Sequence, residues 1–163
     1  MRIRMTARDA PGRVSTGVYI LHAGIEKWSG DEQRATAVHG MAAGAFPMLR
    51  DMPAPRFLRL LAAGEIATGA LLLLPRVPNR MAGAVLTAFS GGLVTMYWRT
   101  PALRKPGSVW PTPAGTGVSK DVWMLGIGLG LLAGGGNHRR SETTGHDRGR
   151  ARGRRNKRAA AEA

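Results

Sequence analysis

Glu65 is the residue whose type and position point most directly to chemistry. It lies near the middle of an apolar run, residues 57–74. Eighteen residues of helix span about 27 Å, close to the thickness of a bilayer core. An ionisable group at that depth is costly, so it is a functional candidate by default. In such a medium Glu65 would either pair with Lys27 or Lys120 or keep its proton, and a carboxyl group that keeps its proton suits proton exchange with a bound group.

One histidine and four charged residues fall where they could share a site with Glu65. If the chain crosses a membrane four times, His22 lies about 9 Å and Glu65 about 12 Å from the same membrane surface. Two charged residues end the first apolar run and two begin the last one. The sequence therefore predicts a polar pocket whose floor is Glu65 and His22, the catalytic candidates, and whose rim is Glu26, Lys27, Lys120 and Asp121.

Each of these residues also has a purely structural interpretation. A buried Glu–Lys pair often only fixes how two helices dock. His22 and Glu26 are four residues apart, but His39, His138 and His146 show no metal-ligand spacing, so no metal is predicted. No Ser-His-Asp, nucleophile-elbow or phosphate-loop pattern occurs. Whether the chain is an enzyme stays open, and an accessory subunit fits better than an enzyme that acts alone.

Four apolar runs are the elements that must position this pocket. They cover residues 13–30, 57–74, 81–98 and 118–135. The first reaches spanning length only if Arg13 snorkels at one end and Trp28 sits in the interface at the other. The competing interpretation is a secretory signal peptide cleaved after Ala37, which the charged residues between the apolar run and that position disfavour.

The remaining segments complete the predicted fold. Residues 1–12 form a basic cytoplasmic N-terminus, and residues 33–52, interrupted by Gly40, Gly44 and Pro47, form an interfacial or re-entrant segment. Residues 13–136 are then the membrane domain. The predicted fold class is all-α, an integral membrane four-helix bundle with a disordered basic C-terminal tail.

Small residues recur at helical spacing in the third and fourth runs. The fourth has glycines four residues apart, and the third has alternating glycine and threonine at the same interval. Such stripes let two helices approach closely in lipid. The predicted helix-packing glycines are Gly83, Gly91, Gly126, Gly130 and Gly134.

Charge is concentrated in the tail, residues 137–163. The chain has a net charge of +14 and no cysteine, which removes disulfides and thiol chemistry. Nine Arg or Lys and three acidic residues lie between positions 139 and 163, with no apolar side chain larger than alanine. The tail can contact anionic lipid, nucleic acid or an acidic protein, although it lacks aromatic residues for base stacking. With the nine basic residues of the tail, 15 of the 24 basic residues lie on the side of the termini, which predicts cytoplasmic termini.

The motifs resemble those of the DoxX-like family of small four-helix bacterial membrane proteins. Arg13, Gly17, Gly24 and Lys27 match the opening of that family, Glu65 and Gly69 with Arg80 resemble its second segment, and Lys120, Asp121, Leu125 and Gly126 resemble its closing pattern. The likeness covers about residues 13–135 and excludes the tail. Members of the family are linked to thiosulfate–quinone oxidoreduction, quinone-linked electron transfer and membrane complexes that handle oxidative or thiol stress.

The resemblance implies a multi-pass protein of the bacterial inner membrane. It would be a subunit or accessory of a redox system, quinone-linked or active in oxidative stress, with quinone as a possible cofactor and membrane lipids and other membrane proteins as partners. Without cysteine it could only assist a partner in thiol chemistry. The alternative is a non-enzymatic membrane scaffold whose basic tail binds anionic lipid, nucleic acid or an acidic partner.

Overall fold

The computed structural model describes Met5 and residues 7–134, and these residues form an all-α fold, as predicted. The helices are α1 (Ala10–Trp28), α2 (Glu32–Ala45), α3 (Ala54–Leu73), α4 (Asn79–Arg99), α5 (Thr116–Ser119) and α6 (Asp121–Gly134). Short 3-10 turns follow α2 and α4, at Pro47–Leu49 and Pro101–Leu103. The predicted tail, residues 137–163, lies outside the described residues.

The four predicted spans correspond to four of the helices, with two differences. The last predicted run is divided, because Lys120 separates the short α5 from α6. The segment 33–52 contains α2, whose 14 residues extend about 21 Å and are too few to cross a bilayer. Asp31 caps α2, since its side chain accepts a hydrogen bond from the backbone N–H of Arg34 at 2.8 Å.

Two antiparallel helix pairs build the bundle. Helix α1 packs mainly on α3, and α4 packs mainly on α6, whereas α3 and α4 touch each other little although they are adjacent in sequence. The buried core joins both pairs. It consists of Ile20, Leu72, Ala82, Leu86, Met124 and Leu131.

This packing gives the bundle two distinct ends. One end, called here the Arg13 end, holds the start of α1 and α4 and the end of α3 and α6. The opposite end, called the Trp end, holds the end of α1 and α4 and the start of α3 and α6. The antiparallel arrangement follows from close contacts of Gly17 with Leu72 and of Gly83 with Leu131.

Only α4 among the described helices is both long and apolar enough to cross a membrane by length and composition. Just 28% of its apolar window is buried against the rest of the protein. Helices α1 and α3 have similar lengths but each carries three charged residues, and α6 has 14 residues. The membrane-spanning character of the whole bundle is therefore taken up below as a proposal.

Candidate functional site: a buried ion pair between two close-packed helices

Glycines bring α1 and α3 close enough to bury a charged pair between them. A Cβ atom on Gly24 would lie 2.9 Å from Cβ of Glu65 and from the backbone nitrogen of Ile66. One turn further, a Cβ on Gly69 would lie 2.7 Å from the backbone nitrogen of Leu21. Real Cβ atoms do not approach other atoms so closely, so glycine is required at both positions. The backbones of α1 and α3 are therefore nearly in contact around Glu65.

Glu65 belongs to the buried stripe of α3. Leu58, Ala62, Glu65, Gly69 and Leu72 recur three or four residues apart and all are buried. Helical periodicity thus points the carboxylate at the neighbouring helix rather than at the surroundings of the bundle. The Glu65 side chain is 8% exposed.

Lys27 neutralises Glu65 from the last turn of α1. Its Nζ lies 2.9 Å from Oε1 of Glu65, and the Lys27 side chain is 19% exposed. Lys27 and Lys120 were both predicted as partners of Glu65, and in the fold Lys27 forms the pair. The second carboxylate oxygen, Oε2, is buried and has no hydrogen-bond partner in the part of the chain that the structure describes. A buried oxygen without a donor is costly, and it is the kind of group that a ligand or a proton can satisfy.

Asp121 brings a second carboxylate toward this pair. It is the first residue of α6 and lies within electrostatic range of Lys27 and Glu65, without a direct ion pair to Lys27. Arg34 of α2 adds a more distant positive charge that also acts on Glu65. The cluster formed by Lys27, Glu65 and Asp121 therefore combines one direct ion pair with a third charge at longer range.

Three predicted pocket residues do not join the cluster. The side chain of His22 is 71% exposed, and its Nε2 lies 3.7 Å from Glu26 on the outer face of α1. Glu26 also faces outward, where it lies 3.6 Å from Arg34. The prediction that His22 floors a pocket with Glu65 is wrong, because Gly24 and Ile20 occupy the face of α1 that meets α3. Lys120 is exposed beside the break between α5 and α6.

Arg13 is a second buried charge, and its position differs from the surface position predicted for it. It does not snorkel to a surface, since it is fully buried at the opposite end of the α1–α3 pair. Its five N–H groups donate five hydrogen bonds of 2.8–3.1 Å. The acceptors are the backbone oxygens of Leu71, Leu72, Leu74 and Val77 and the side-chain oxygen of Asn79.

The role of Arg13 is thus to cap α3. The last carbonyl groups of a helix have no partner within it and carry a partial negative charge, both of which a guanidinium group can satisfy. Asn79, at the start of α4, also donates a hydrogen bond to Asp9. Arg13 therefore joins the start of α1, the end of α3 and the start of α4. The turn between α3 and α4 is held in place by this network.

The predicted glycine stripes divide into one correct position and four that make no contact. Gly83 packs against α6, where an added Cβ would lie 2.8 Å from the carbonyl oxygen of Gly128. Gly91, Gly126, Gly130 and Gly134 have no neighbouring atom within 4 Å of an added Cβ in the described fold. Helix α6 instead meets α4 through Gly128, whose added Cβ would lie 2.6 Å from Oγ1 of Thr87. The glycine spacing predicted a packing face, but the helix is rotated so that another face packs.

One open cleft lies at the connection between α1 and α2, and no residue of the cluster lines it. It has a volume of about 420 Å³ and is lined by Ser29, Gly30, Asp31, Gln33, Arg34 and Ala37. Gly30 lies close to α3, since an added Cβ would meet the side chain of Leu58 at 2.9 Å. Among the described residues no group of His, Asp and Glu could hold a metal ion.

Comparison with known proteins adds no relative to this description. No protein-family model, curated protein or solved structure matches the chain. The resemblance to the DoxX-like family accordingly stays a prediction that rests on the quoted motifs.

Proposed function

We propose that the chain is a DoxX-like, multi-pass protein of the bacterial inner membrane that serves as a subunit or accessory of a quinone-linked redox system. In this proposal α1, α3, α4 and the segment that runs from α5 through α6, residues 116–134, cross the bilayer, and the Lys27–Glu65–Asp121 cluster receives the polar head group of a quinone. The observation that carries the proposal is the buried Glu65 carboxylate with one oxygen paired and the other unpartnered.

Exposed apolar side chains support the membrane part of the proposal. Sixteen large apolar residues of the described chain are exposed. They include Val18 of α1, Leu60 of α3, Met81 of α4 and Leu129 of α6, each more than half exposed. Soluble monomers rarely expose large contiguous apolar patches, whereas a lipid environment favours apolar side chains on the outside of every helix. If instead these helices pack in an aqueous protein, alkaline carbonate will release the chain from membranes.

The cluster supports the redox part of the proposal. A quinone gains protons when it is reduced, so its site needs groups that exchange protons or donate hydrogen bonds to its oxygens. Lys27 can donate to a quinone oxygen, and Glu65 or Asp121 can exchange a proton with it.

Glu65→Gln tests the assignment of the site. This change keeps the size of the side chain and removes its proton exchange. In protein purified in mild detergent, we expect it to weaken binding of a short-chain quinone about tenfold, which corresponds to about 1.4 kcal/mol. Equilibrium dialysis measures the dissociation constant.

His22→Gln is the matched control, because His22 lies on the outer face of the same helix pair. It should bind quinone as the natural chain does. Equal binding by the Glu65→Gln variant would remove the cluster as the quinone site.

Orientation is a separate part of the proposal. With residues 137–163 present, fifteen basic residues lie on the side of the termini and nine on the other side, and without them the count is six against nine. We therefore expect removal of residues 137–163 to reverse or mix the orientation. Because the chain has no cysteine, labelling of a Ser108→Cys variant with a membrane-impermeant maleimide reports which side carries the connection between α4 and α6.

The second candidate function is a membrane scaffold, and the outer face of α6 favours it. Gly126 and Gly130 are exposed there without neighbours, next to the exposed side chains of Val122 and Leu129. On this hypothesis Gly130→Leu disrupts a complex with another membrane helix and leaves the fold intact. Gly64→Leu on α3, which is equally open, is the control. Co-purification after chemical crosslinking separates the two variants.

A further inference from the structure

All four tryptophans of the chain lie at one end of the bundle. Trp28 ends α1, Trp98 precedes the last residue of α4, Trp123 is in the first turn of α6, and Trp110 is in the connection between them. The exposed fractions are 56%, 55%, 60% and 70%, respectively. Large exposed indole groups confined to one level are typical of the boundary between hydrocarbon and head groups.

The connection that carries Trp110 is a folded hairpin rather than a loose loop. Residues 101–115 are called here the Trp110 hairpin. The backbone of Lys105 donates to the carbonyl of Trp110 at 2.9 Å, and the backbone of Thr112 donates to Leu103 at 2.9 Å. Gly107 adopts a positive φ of 66° at the tip, a conformation that glycine permits. The hairpin is therefore stiff enough to hold Trp110 at a defined level.

Two side-chain contacts attach the hairpin to the end of α4. The Tyr97 hydroxyl donates to the carbonyl of Val109 at 2.8 Å. The Arg104 guanidinium lies 4.8 Å from the ring centre of Trp98 and donates to the Trp98 carbonyl at 2.9 Å. These contacts leave Val109 and Trp110 exposed, with no described residue covering them.

The charge of this region is entirely positive. Residues 99–120 contain Arg99, Arg104, Lys105 and Lys120 and no acidic residue. Cations beside exposed tryptophans complement a surface that combines phosphate groups with an apolar layer beneath them. A soluble protein partner would have to supply acidic and apolar groups in the same layered order.

We propose that the Trp110 hairpin is a binding surface for anionic phospholipid head groups, with Trp110 and Val109 inserted at the interface and the cations on phosphates. This inference rests on the proposed membrane location and goes beyond it by naming the surface and its lipid class. It is independent of the quinone site.

The test uses the full chain in proteoliposomes, with Trp110 as the only tryptophan and the other three replaced by phenylalanine. Trp110 fluorescence should be quenched more by lipids brominated near the head group than by lipids brominated near the chain end. At equal mole fraction, brominated phosphatidylglycerol should quench at least about twofold more than brominated phosphatidylcholine, because the cations enrich the anionic lipid.

Two charge variants test whether the lipid preference depends on the cations of the Trp110 hairpin. Combined Arg104→Gln and Lys105→Gln should remove the preference for phosphatidylglycerol, while Arg80→Gln at the Arg13 end should leave it unchanged. If the triple Phe variant does not fold, the same two lipids are compared in the natural chain by the quenching that Trp110→Phe removes.

The outcomes are distinguishable. A chain that stays in the membrane but shows equal quenching by both lipids, or a Trp110 quenched only by aqueous iodide, overturns the lipid surface alone. A Trp110 that is protected from both lipid and iodide indicates a protein partner and also overturns it. A chain that carbonate releases from the vesicles overturns the membrane proposal as well.

Discussion

Arg13 and Glu65 are buried charges at different positions along the same helix pair, and their surroundings differ. Every N–H group of Arg13 has an acceptor, and the residue is completely enclosed. Glu65 has one oxygen paired with a partly exposed lysine and another oxygen without a partner in the described fold. All hydrogen-bond donors of Arg13 are therefore used, whereas Glu65 keeps one unused acceptor.

This difference separates a structural charge from a candidate functional one. A saturated network has no capacity left for a ligand, and its value lies in holding three helix termini together. An incomplete network has unused hydrogen-bonding capacity, which costs stability unless another group satisfies it. Burial alone does not distinguish the two, because both residues are buried.

The largest expected effect is at Arg13. Arg13→Ala leaves four backbone oxygens and Asn79 without their donors, so we expect a loss of at least about 5 kcal/mol in the free energy of unfolding. Arg13→Lys keeps the charge but has three donors instead of five, and should recover only part of that loss. Unfolding in mixed detergent micelles, followed by circular dichroism, measures both. Full recovery by lysine would show that charge alone matters there.

The next effect is at the ion pair. Lys27→Met leaves the Glu65 carboxylate buried without its partner and should cost about 3 kcal/mol. Glu65→Gln should cost only about 1 kcal/mol, because the amide oxygen still accepts a hydrogen bond from Lys27. The double variant Lys27→Met with Glu65→Met should be close to the natural stability if the pair serves binding rather than folding. A strongly destabilised double variant would make Glu65 structural, like Arg13.

A smaller difference in unfolding free energy is expected between a closely packed glycine and an open glycine of α3. Gly69→Ala forces a methyl group against the backbone of α1 and should cost about 1 to 3 kcal/mol. Gly64→Ala points into open space and should be neutral or stabilise by up to about 1 kcal/mol. The same unfolding measurement in mixed detergent micelles compares the two variants. Equal effects would mean that α1 and α3 are less closely packed around Glu65 than described.

The smallest expected effect is at His22. Its side chain is mostly exposed and its contact with Glu26 is a surface pair between neighbouring turns. His22→Gln should therefore change the free energy of unfolding by less than about 0.5 kcal/mol. A loss of unfolding free energy comparable with that of Lys27→Met would indicate that His22 is buried with Lys27 and Glu65.

Much of the architecture could be predicted from the lengths of the apolar runs. Which face of each helix packs against its neighbours could not. Four long runs separated by proline-rich or polar segments predict four helices, and the described helices follow those runs closely. The fourth run is apolar on nearly every side, so hydrophobic periodicity did not define the face of α6 that packs. This is why Gly126 and Gly130 were assigned to packing and Gly128 was missed.

The candidate site was predicted in the same partial way. Glu65 was identified because a lone carboxyl group in an apolar run is conspicuous. Lys27 was placed on the rim of the pocket and was one of two lysines predicted to pair with a buried carboxylate. His22 was misplaced because depth says nothing about rotation, and position 22 lies on a different face of α1 from Gly17 and Gly24.

The amino-acid sequence by itself determined the helices, their order and the unusual position of one carboxylate, because these depend on local composition and length. Only the tertiary structure decided which buried charge is satisfied. That outcome depends on the rotation of each helix and on contacts between residues far apart in the chain, such as Arg13 with the turn after α3. Glu65 differs from Arg13 for this reason: close packing at Gly24 brings one donor to it and leaves its second oxygen unpaired.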